Sequence, residues 1–212
     1  MIKMEEQLKT GTTTVGIVCK DGVILAADKR ATAGTMIVDK RAEKVHLLSE
    51  DLAVTIAGNV SDAQLIIKLI KAELKLKEMR TGKKPSVKEA ANLLGSLLYS
   101  NIRRMSMMPG IAHFLLAGRD SSGVYLYDLF PDGSVTKIKD FMSSGSGSVF
   151  ALGVLETQYS GDMSTAEGTK LAVKSVNTAL QRDSASGNGI DVVVVNQNEV
   201  KFVMHKEIEV TL

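Results

Sequence analysis

Gly11-Thr12-Thr13-Thr14 stands where a polar leader, residues 1–11, meets the first run rich in β-branched residues, Thr12 to Val18. A threonine hydroxyl is a weak nucleophile until a base takes its proton. If the leader is cut after Gly11, Thr12 becomes a new N-terminus. Its free α-amine, which titrates near pH 8, is then a general base carried by the nucleophilic residue itself. Strand propensity alone also explains three consecutive threonines.

Two charged positions bear on that choice. Side chains alternate along a strand, so Ile24, Ala26, Asp28 and Arg30 share one face, which turns from apolar to charged toward its end. Ala42, Lys44 and His46 share a face of the next strand-like run, with Lys44 the cation in its interior. A solvated face is the ordinary reading of such charges. An ammonium buried beside a hydroxyl and held by a carboxylate would instead favour the alkoxide, and Thr12, Asp28 and Lys44 are the candidates for that arrangement.

Other chemistries find little support. There is no G-x-S-x-G elbow, and the lone Cys19 sits mid-strand with no histidine near it in sequence. His46, His113 and His205 are scattered, and neither a metal nor a cofactor is expected. Gly11 to Gly16 has the spacing of a phosphate loop, but Ile17 and Val18 stand where Lys and Ser or Thr are required. Gly145-Ser146-Gly147-Ser148 reads equally as an anion-binding nest or as a plain strand-to-helix turn.

The elements that must position these residues follow from period and punctuation. Strands are expected from Thr12 to Val18 and Val23 to Arg30 around an Asp21-Gly22 turn, then from Ala42 to Leu48 and Leu52 to Ala57. Four strands thus precede any helix. Ser61 and Gln64 have capping-box spacing ahead of Ala63, Ile66, Ile67, Ile70 and Leu74, one face of a helix running to about Arg80. Ser86 and Glu89 open a second helix with Val87, Ala90, Ala91, Leu94 and Leu98 on one face. Strands return at Ala112 to Gly118, Val124 to Leu129 and Val135 to Lys139, followed by a short helix ending near Tyr159. Ser164 and Glu167 start a helix with Ala172, Val173, Val176, Ala179 and Leu180 inward, and Ile190 to Asn196 with Val200 to His205 closes the chain as a hairpin. Helix pairs interrupting hairpin-connected strands predict an α+β fold: two mainly antiparallel sheets packed together and flanked by helix pairs, in one four-layer domain.

Composition agrees with a single folded domain. Of 212 residues, 44% are apolar and 24% charged, which is ample for a core and argues against disorder. Twenty-six Lys and Arg against 24 Asp and Glu, interspersed, point away from nucleic acid. The apolar runs are too short to span a membrane, and the charged N-terminus lacks a secretory signal, so a cytoplasmic protein is expected.

Together Gly11-Thr12-Thr13-Thr14-Val15-Gly16, Asp28, Lys44, Gly58 followed by Ser61-Asp62, Gly145-Ser146-Gly147 and Gln181-Arg182-Asp183-Ser184-Ala185-Ser186-Gly187 resemble the β-type subunits of proteasomes, archaeal 20S particles above all. The resemblance runs from Gly11 to about Asp191. It implies the N-terminal nucleophile (Ntn) hydrolase fold, an αββα sandwich, and a threonine endopeptidase that degrades unfolded polypeptides through an acyl ester.

By resemblance, residues 1–11 are a propeptide removed by self-processing between Gly11 and Thr12, leaving 12–212 as the working domain. Thr12 is the nucleophile, Asp28 and Lys44 the charged pair beside it, and Gly58 the oxyanion donor. Ser146, Asp183 and Ser186 are the groups around the amino terminus, and Arg30 is a structural neighbour. Thr32 and Val60 fall where backbone pairs with substrate, while Ala31, Ala42, His46, Ile56 and Val60 fall around the pocket for the residue before the cut. The mostly apolar lining implies cleavage after hydrophobic residues; His46 departs from that pattern, and a packed, hydrogen-bonded histidine explains it as well.

The implied partners are α-type subunits, other β subunits in seven-membered rings, and an ATPase regulator delivering substrate. Leu65, Leu69 and Leu76 on the first helix suit a subunit contact. Met105, Met107 and Met108 suit either an adaptable contact or core filling. A catalytically silent ring subunit, a relative acting on small amides and, weakest, a nucleotide-binding module remain as alternatives.

Overall fold

A computed structural model of the chain describes residues 11–106 and 110–208. The leader, apart from Gly11, and Met107 and Met108 lie outside the described residues.

The Asp-Gly turn joins β1 (Thr14–Cys19) to β2 (Gly22–Asp28) as an antiparallel hairpin. With β10 (Phe141–Ser144), β11 (Gly189–Val195) and β12 (Val200–Glu207) they form one sheet, ordered β10-β1-β2-β11-β12. The second sheet runs in chain order through β5 (Val45–Leu47), β6 (Leu52–Gly58), β7 (Ala112–Asp120), β8 (Gly123–Leu129) and β9 (Val135–Ile138). All pairings in both sheets are antiparallel.

Alternation then builds the layers. On β2, Val23, Leu25 and Ala27 meet Val45, Ala53, Leu115, Ala117 and Leu126 of the opposite sheet, while Ile24 and Ala26 turn the other way. That outer face is covered by α3 (Ser148–Gln158) and α4 (Thr165–Arg182), with Ala151, Leu155, Leu171, Ala172 and Val176 buried against it. The outer face of the second sheet is covered by α1 (Val60–Thr81) and α2 (Val87–Ile102). The expected inward residues of both helices, Ala63, Ile66, Ile67, Ile70 and Leu74, then Val87, Ala90, Ala91, Leu94 and Leu98, are the buried ones. Each large side chain withdrawn from water contributes about 1.5–3 kcal/mol, so three apolar layers hold four structural ones together. The chain is thus an αββα sandwich, as its pattern predicted.

Three expectations need correcting. A hairpin of β3 (Ala31–Ala33) and β4 (Met36–Asp39) follows β2, so six strands precede the first helix. Both strands are too short for an alternation to register, and β4 is exposed along its whole length. The third expected strand shrinks to Val45–Leu47, because Ala42 donates its N–H to the Lys29 carbonyl beside β2. The first helix begins at Val60, capped by Asn59, whose side chain accepts the Ser61 N–H at 3.2 Å; Ser61 lies inside the first turn. Boxes at Ser86/Glu89 and Ser164/Glu167 form as expected.

Leu65, Leu69 and Leu76 are exposed on α1, and Met105 is fully exposed, which removes core filling as its role. No helix is long and apolar enough to cross a membrane.

Because Asn59 rather than Ser61 caps α1, Asn59→Ala should lower the unfolding free energy by about 1 kcal/mol and Ser61→Ala by a few tenths at most, measured by chemical denaturation. Equal losses would return the cap to Ser61.

Candidate active site

Asp28 ends β2 and is wholly buried. Its Oδ1 accepts from the Thr13 N–H at 2.9 Å and from Lys44 Nζ at 2.7 Å. Its Oδ2 accepts from the Arg30 N–H at 3.0 Å and the Gly187 N–H at 2.9 Å. A carboxylate removed from water is expensive unless its lone pairs are filled, and here four donors, one of them a cation, fill them. Lys44 is 4% exposed. The solvated-face reading of these charges is therefore excluded.

Burial pulls the Lys44 ammonium below lysine's ordinary value of 10.5, working against the charge and hydrogen bond of Asp28, which pull it back up. Beyond Asp28, Lys44 Nζ donates to the Gly11 carbonyl oxygen at 3.1 Å. The Thr12 hydroxyl donates to the same oxygen at 2.6 Å. The carbonyl that precedes Thr12 thus carries two donors, one of them positively charged.

The Thr12 nitrogen is held by a separate chain of hydroxyls. Its N–H donates to Ser146 Oγ at 3.2 Å, and Ser146 donates to Asp183 Oδ2 at 2.6 Å. Ser186 also donates to Asp183 Oδ2, at 2.7 Å, and with its single proton committed there it accepts from Thr13 Oγ1 at 2.7 Å. Asp183 caps the end of α4, and Ser146 sits in the Gly145-Ser146-Gly147 turn ahead of α3. Gly145 has φ +91°, and a Cβ there would fall 2.1 Å from the Thr12 carbonyl oxygen. That oxygen accepts the Gly147 N–H at 3.2 Å, so the turn seats backbone of β1's approach rather than a free anion.

A cavity of about 510 Å³ opens beside Thr12. Gly11, Thr12, Lys44 and Gly58 line it together with Ala31, Ala42, His46, Ile56 and Val60. Thr32 is not among the lining residues; its hydroxyl accepts the Gly11 N–H at 2.9 Å. Arg30 turns away, donating from Nε to Asn188 Oδ1 at 2.7 Å and from Nη1 to the Ser184 carbonyl at 2.8 Å, and so grips the loop that carries Ser186. Gly58 ends β6 with φ +104°, where a Cβ would lie 2.5 Å from the Ile111 carbonyl oxygen.

His46 is a packed histidine that faces the cavity. It lines the cavity, burial lowers its proton affinity, and one hydrogen bond to the backbone of Glu43 partly offsets that. Its Nε2 is shielded with no hydrogen-bond partner among the described residues.

Several contributors escaped sequence reasoning. Thr13 and Gly187 supply backbone donors to Asp28, and Val38, Asp39, Arg41, Glu43, Ala57, Ala63 and Gln64 join the cavity wall. The signal for Val38 and Asp39 was Gly34, φ +61°, flanked by Thr32 and the Met36-Ile37-Val38 run. For the backbone donors no signal existed, since every residue but proline carries an N–H.

A polarised carbonyl, a hydroxyl against it, a buried ammonium and a nitrogen on a hydroxyl–carboxylate relay are the groups that acyl transfer would require. Residues 8–195 match the family model described as "Proteasome subunit". The chain is 45% identical over 199 residues to the proteasome subunit beta of Methanocaldococcus vulcanius, covering 93% of this chain and 87% of that one. It is 41% identical over 209 residues to the proteasome subunit beta of Archaeoglobus fulgidus, covering 99% and 96%, and likewise 41% identical to that of Ferroglobus placidus, covering 99% and 98%.

The lowered proton affinity of Lys44 has a sign that can be checked. Between its folded value and 10.5 the folded chain binds fewer protons than the unfolded one, so this group alone makes stability rise with pH across that window. Unfolding free energies of wild type and Lys44→Met should diverge as pH rises toward 10.5, the wild type gaining on the variant; parallel curves would mean that Lys44 titrates as a free lysine.

Proposed function

The chain belongs to the proteasome subunit family, as a β-type subunit of the proteasome core, and on that premise we propose that it is a threonine endopeptidase with Thr12 as nucleophile. Proteasome β subunits are proteases that assemble into the core with other subunits, and the threonine chemistry is the further step. The observation that carries it is the convergence of the Thr12 hydroxyl and the Lys44 ammonium on the Gly11 carbonyl oxygen.

In the precursor, Thr12 Oγ1 attacks the Gly11 carbonyl carbon. Lys44 draws electron density toward the oxygen, which lowers the cost of the tetrahedral charge. The C–N bond breaks, a C–O ester forms, and the hydroxyl proton passes to the departing nitrogen, whose partner Ser146 stands 3.2 Å away. Water then hydrolyses the ester and residues 1–11 leave. Until that step the nitrogen of Thr12 is an amide without basicity, so the precursor is silent.

In the mature enzyme the α-amine takes the hydroxyl proton as the oxygen attacks a substrate carbonyl, and returns it to the leaving amine. Lys44, kept charged by Asp28, stabilises the alkoxide. The Gly58 N–H stabilises the oxyanion, a contribution of about 3–4 kcal/mol for a well-aimed donor. Ser146, Asp183 and Ser186 hold the amine through the relay described above. Thr32, which binds the Gly11 N–H in the precursor, then pairs with substrate backbone, as does Val60. Threonine's β-methyl restricts χ1 and keeps the hydroxyl on one bearing.

The cavity beside Thr12, with Ala31, Ala42, Ile56 and Val60 in its wall, supports cleavage after hydrophobic residues. His46 adds a neutral aromatic face to that wall. Seven-membered β rings stacked on α-type rings, a cytoplasmic setting and delivery of unfolded chains by an ATPase regulator complete the proposal. The exposed Leu65, Leu69 and Leu76 of α1 are suited to a subunit contact.

Thr12→Ala should abolish both processing and peptide cleavage. Intact-mass measurement on assembled particles should show loss of residues 1–11 in the wild type and a full chain in the variant. A wild-type subunit that keeps its leader in assembled particles is a silent subunit, and an active, processed Thr12→Ala protein has another nucleophile.

A further inference from the structure

Another buried carboxylate lies between the sheets, outside the relay around Thr12. Asp128 of β8 shares its face with Leu126 in the sheet-to-sheet core and is wholly buried. Its Oδ1 accepts from His113 Nε2 at 2.5 Å, and its Oδ2 has no hydrogen-bond partner among the described residues. The His113 ring also packs on Phe130, with centroids 4.6 Å apart.

The position of His113 in the sheet gives this pair a use. The β7–β8 ladder runs from Phe114 opposite Leu129 to Asp120 opposite Gly123, so Ala112 and His113 extend past its end. On their other side these two residues pair with Gly58 and Ala57 of β6. The Asn59 N–H donates to the Ile111 carbonyl at 2.8 Å, and it is this carbonyl that a Cβ on Gly58 would strike. The backbone from Ile111 to His113 is therefore the surface against which Gly58 is set. Where the ladder to β8 stops, the His113 side chain takes over the tie, through Asp128 and Phe130.

We propose that His113 is a positioning residue for catalysis: its hydrogen bond to Asp128 anchors the start of β7 and thereby aims the Gly58 N–H at the developing oxyanion. The inference rests on the proposed role of Gly58. A donor contributes only if it points at the place the oxyanion will occupy, and loss of one outright costs about 10²–10³ in kcat. A strand end freed from its side-chain tie misaims the donor without removing it, so a smaller loss follows. Asp128 reinforces the coupling, because without His113 neither oxygen of its buried side chain would have a hydrogen-bond partner among the described residues, a costly arrangement that favours its moving.

Assembled particles carrying His113→Leu, His113→Gln or Asp128→Leu test this with a fluorogenic peptide and a peptide aldehyde that adds to the Thr12 hydroxyl as a hemiacetal. His113→Leu should lower kcat about tenfold with KM within about twofold, and weaken the aldehyde by the same factor as kcat/KM. His113→Gln, whose amide N–H can replace the lost donor, should recover most of the loss. Unchanged kcat in His113→Leu, equal losses in the Leu and Gln variants, or a change confined to KM would each overturn the proposal. If His113→Leu does not assemble, Asp128→Leu, which removes the acceptor, decides: lowered kcat at constant KM, beside a near-normal His113→Gln, supports it, and wild-type kcat in both removes it. Failure of the wild type to form the aldehyde adduct at Thr12 would overturn the threonine mechanism itself. An adduct-forming wild type with unmoved variants overturns only the role of His113.

Discussion

Everything at the reactive end of this protein depends on a carboxylate and an ammonium that share a place without water. Asp28 and Lys44 meet at 2.7 Å with side chains 0% and 5% exposed. Such a pair contributes little to stability in itself, because the Coulomb attraction is largely spent on desolvation. It persists where other donors satisfy the remaining lone pairs, and Asp28 draws those donors from three separate stretches of backbone: Thr13 before β1, Arg30 after β2, and Gly187 beyond α4. Satisfying one carboxylate thus requires the start of one strand, the end of its hairpin partner and a distant loop to converge. The same dryness makes the Lys44 charge effective at close range, since no solvent screens it from the carbonyl it touches.

That convergence is possible because the apolar layers on either side leave no slack. Val15 and Ile17 lock β1 against the α3–α4 layer, while Gly16, whose missing side chain admits Leu115 and Leu126, lets the second sheet close on its other face. Thr13 and Thr12, just before β1, inherit this division. Thr13 turns toward Ser186, and Thr12 lines the cavity with Lys44 and Gly58. Neighbouring threonines in one run therefore receive different tasks from the pleat alone.

In the proposed reaction one set of contacts serves two states. The Gly11 carbonyl holds the position of a substrate carbonyl, and the Thr12 amide nitrogen already rests on the Ser146–Asp183 relay that would later hold the free amine. Cleavage then changes the basicity of that nitrogen without requiring the site to be rebuilt. Scarcity of histidine and cysteine near Thr12 fits such a centre, because its base is made by the reaction rather than provided by a side chain.

The sequence by itself determined whatever depends on neighbours within a turn or a strand. The inward faces of α1 and α2, the capping boxes at Ser86 and Ser164 and the β1–β2 turn were legible because helical and strand periods are properties of the backbone. The motif pattern from Thr12 to Ser186 was legible too, and with it the family. Tertiary structure decided what depends on residues far apart in the chain. Alternation put Asp28 and Lys44 on particular faces, but only the Gly187 loop and the Thr13 backbone could decide that those faces are dry. The β3–β4 hairpin was too short to carry a period, and the tie from His113 to Asp128 joins residues of two strands that carry no local sign of each other. A charge's burial is set by what packs over it, and that is a property of the assembled layers, not of any stretch of sequence.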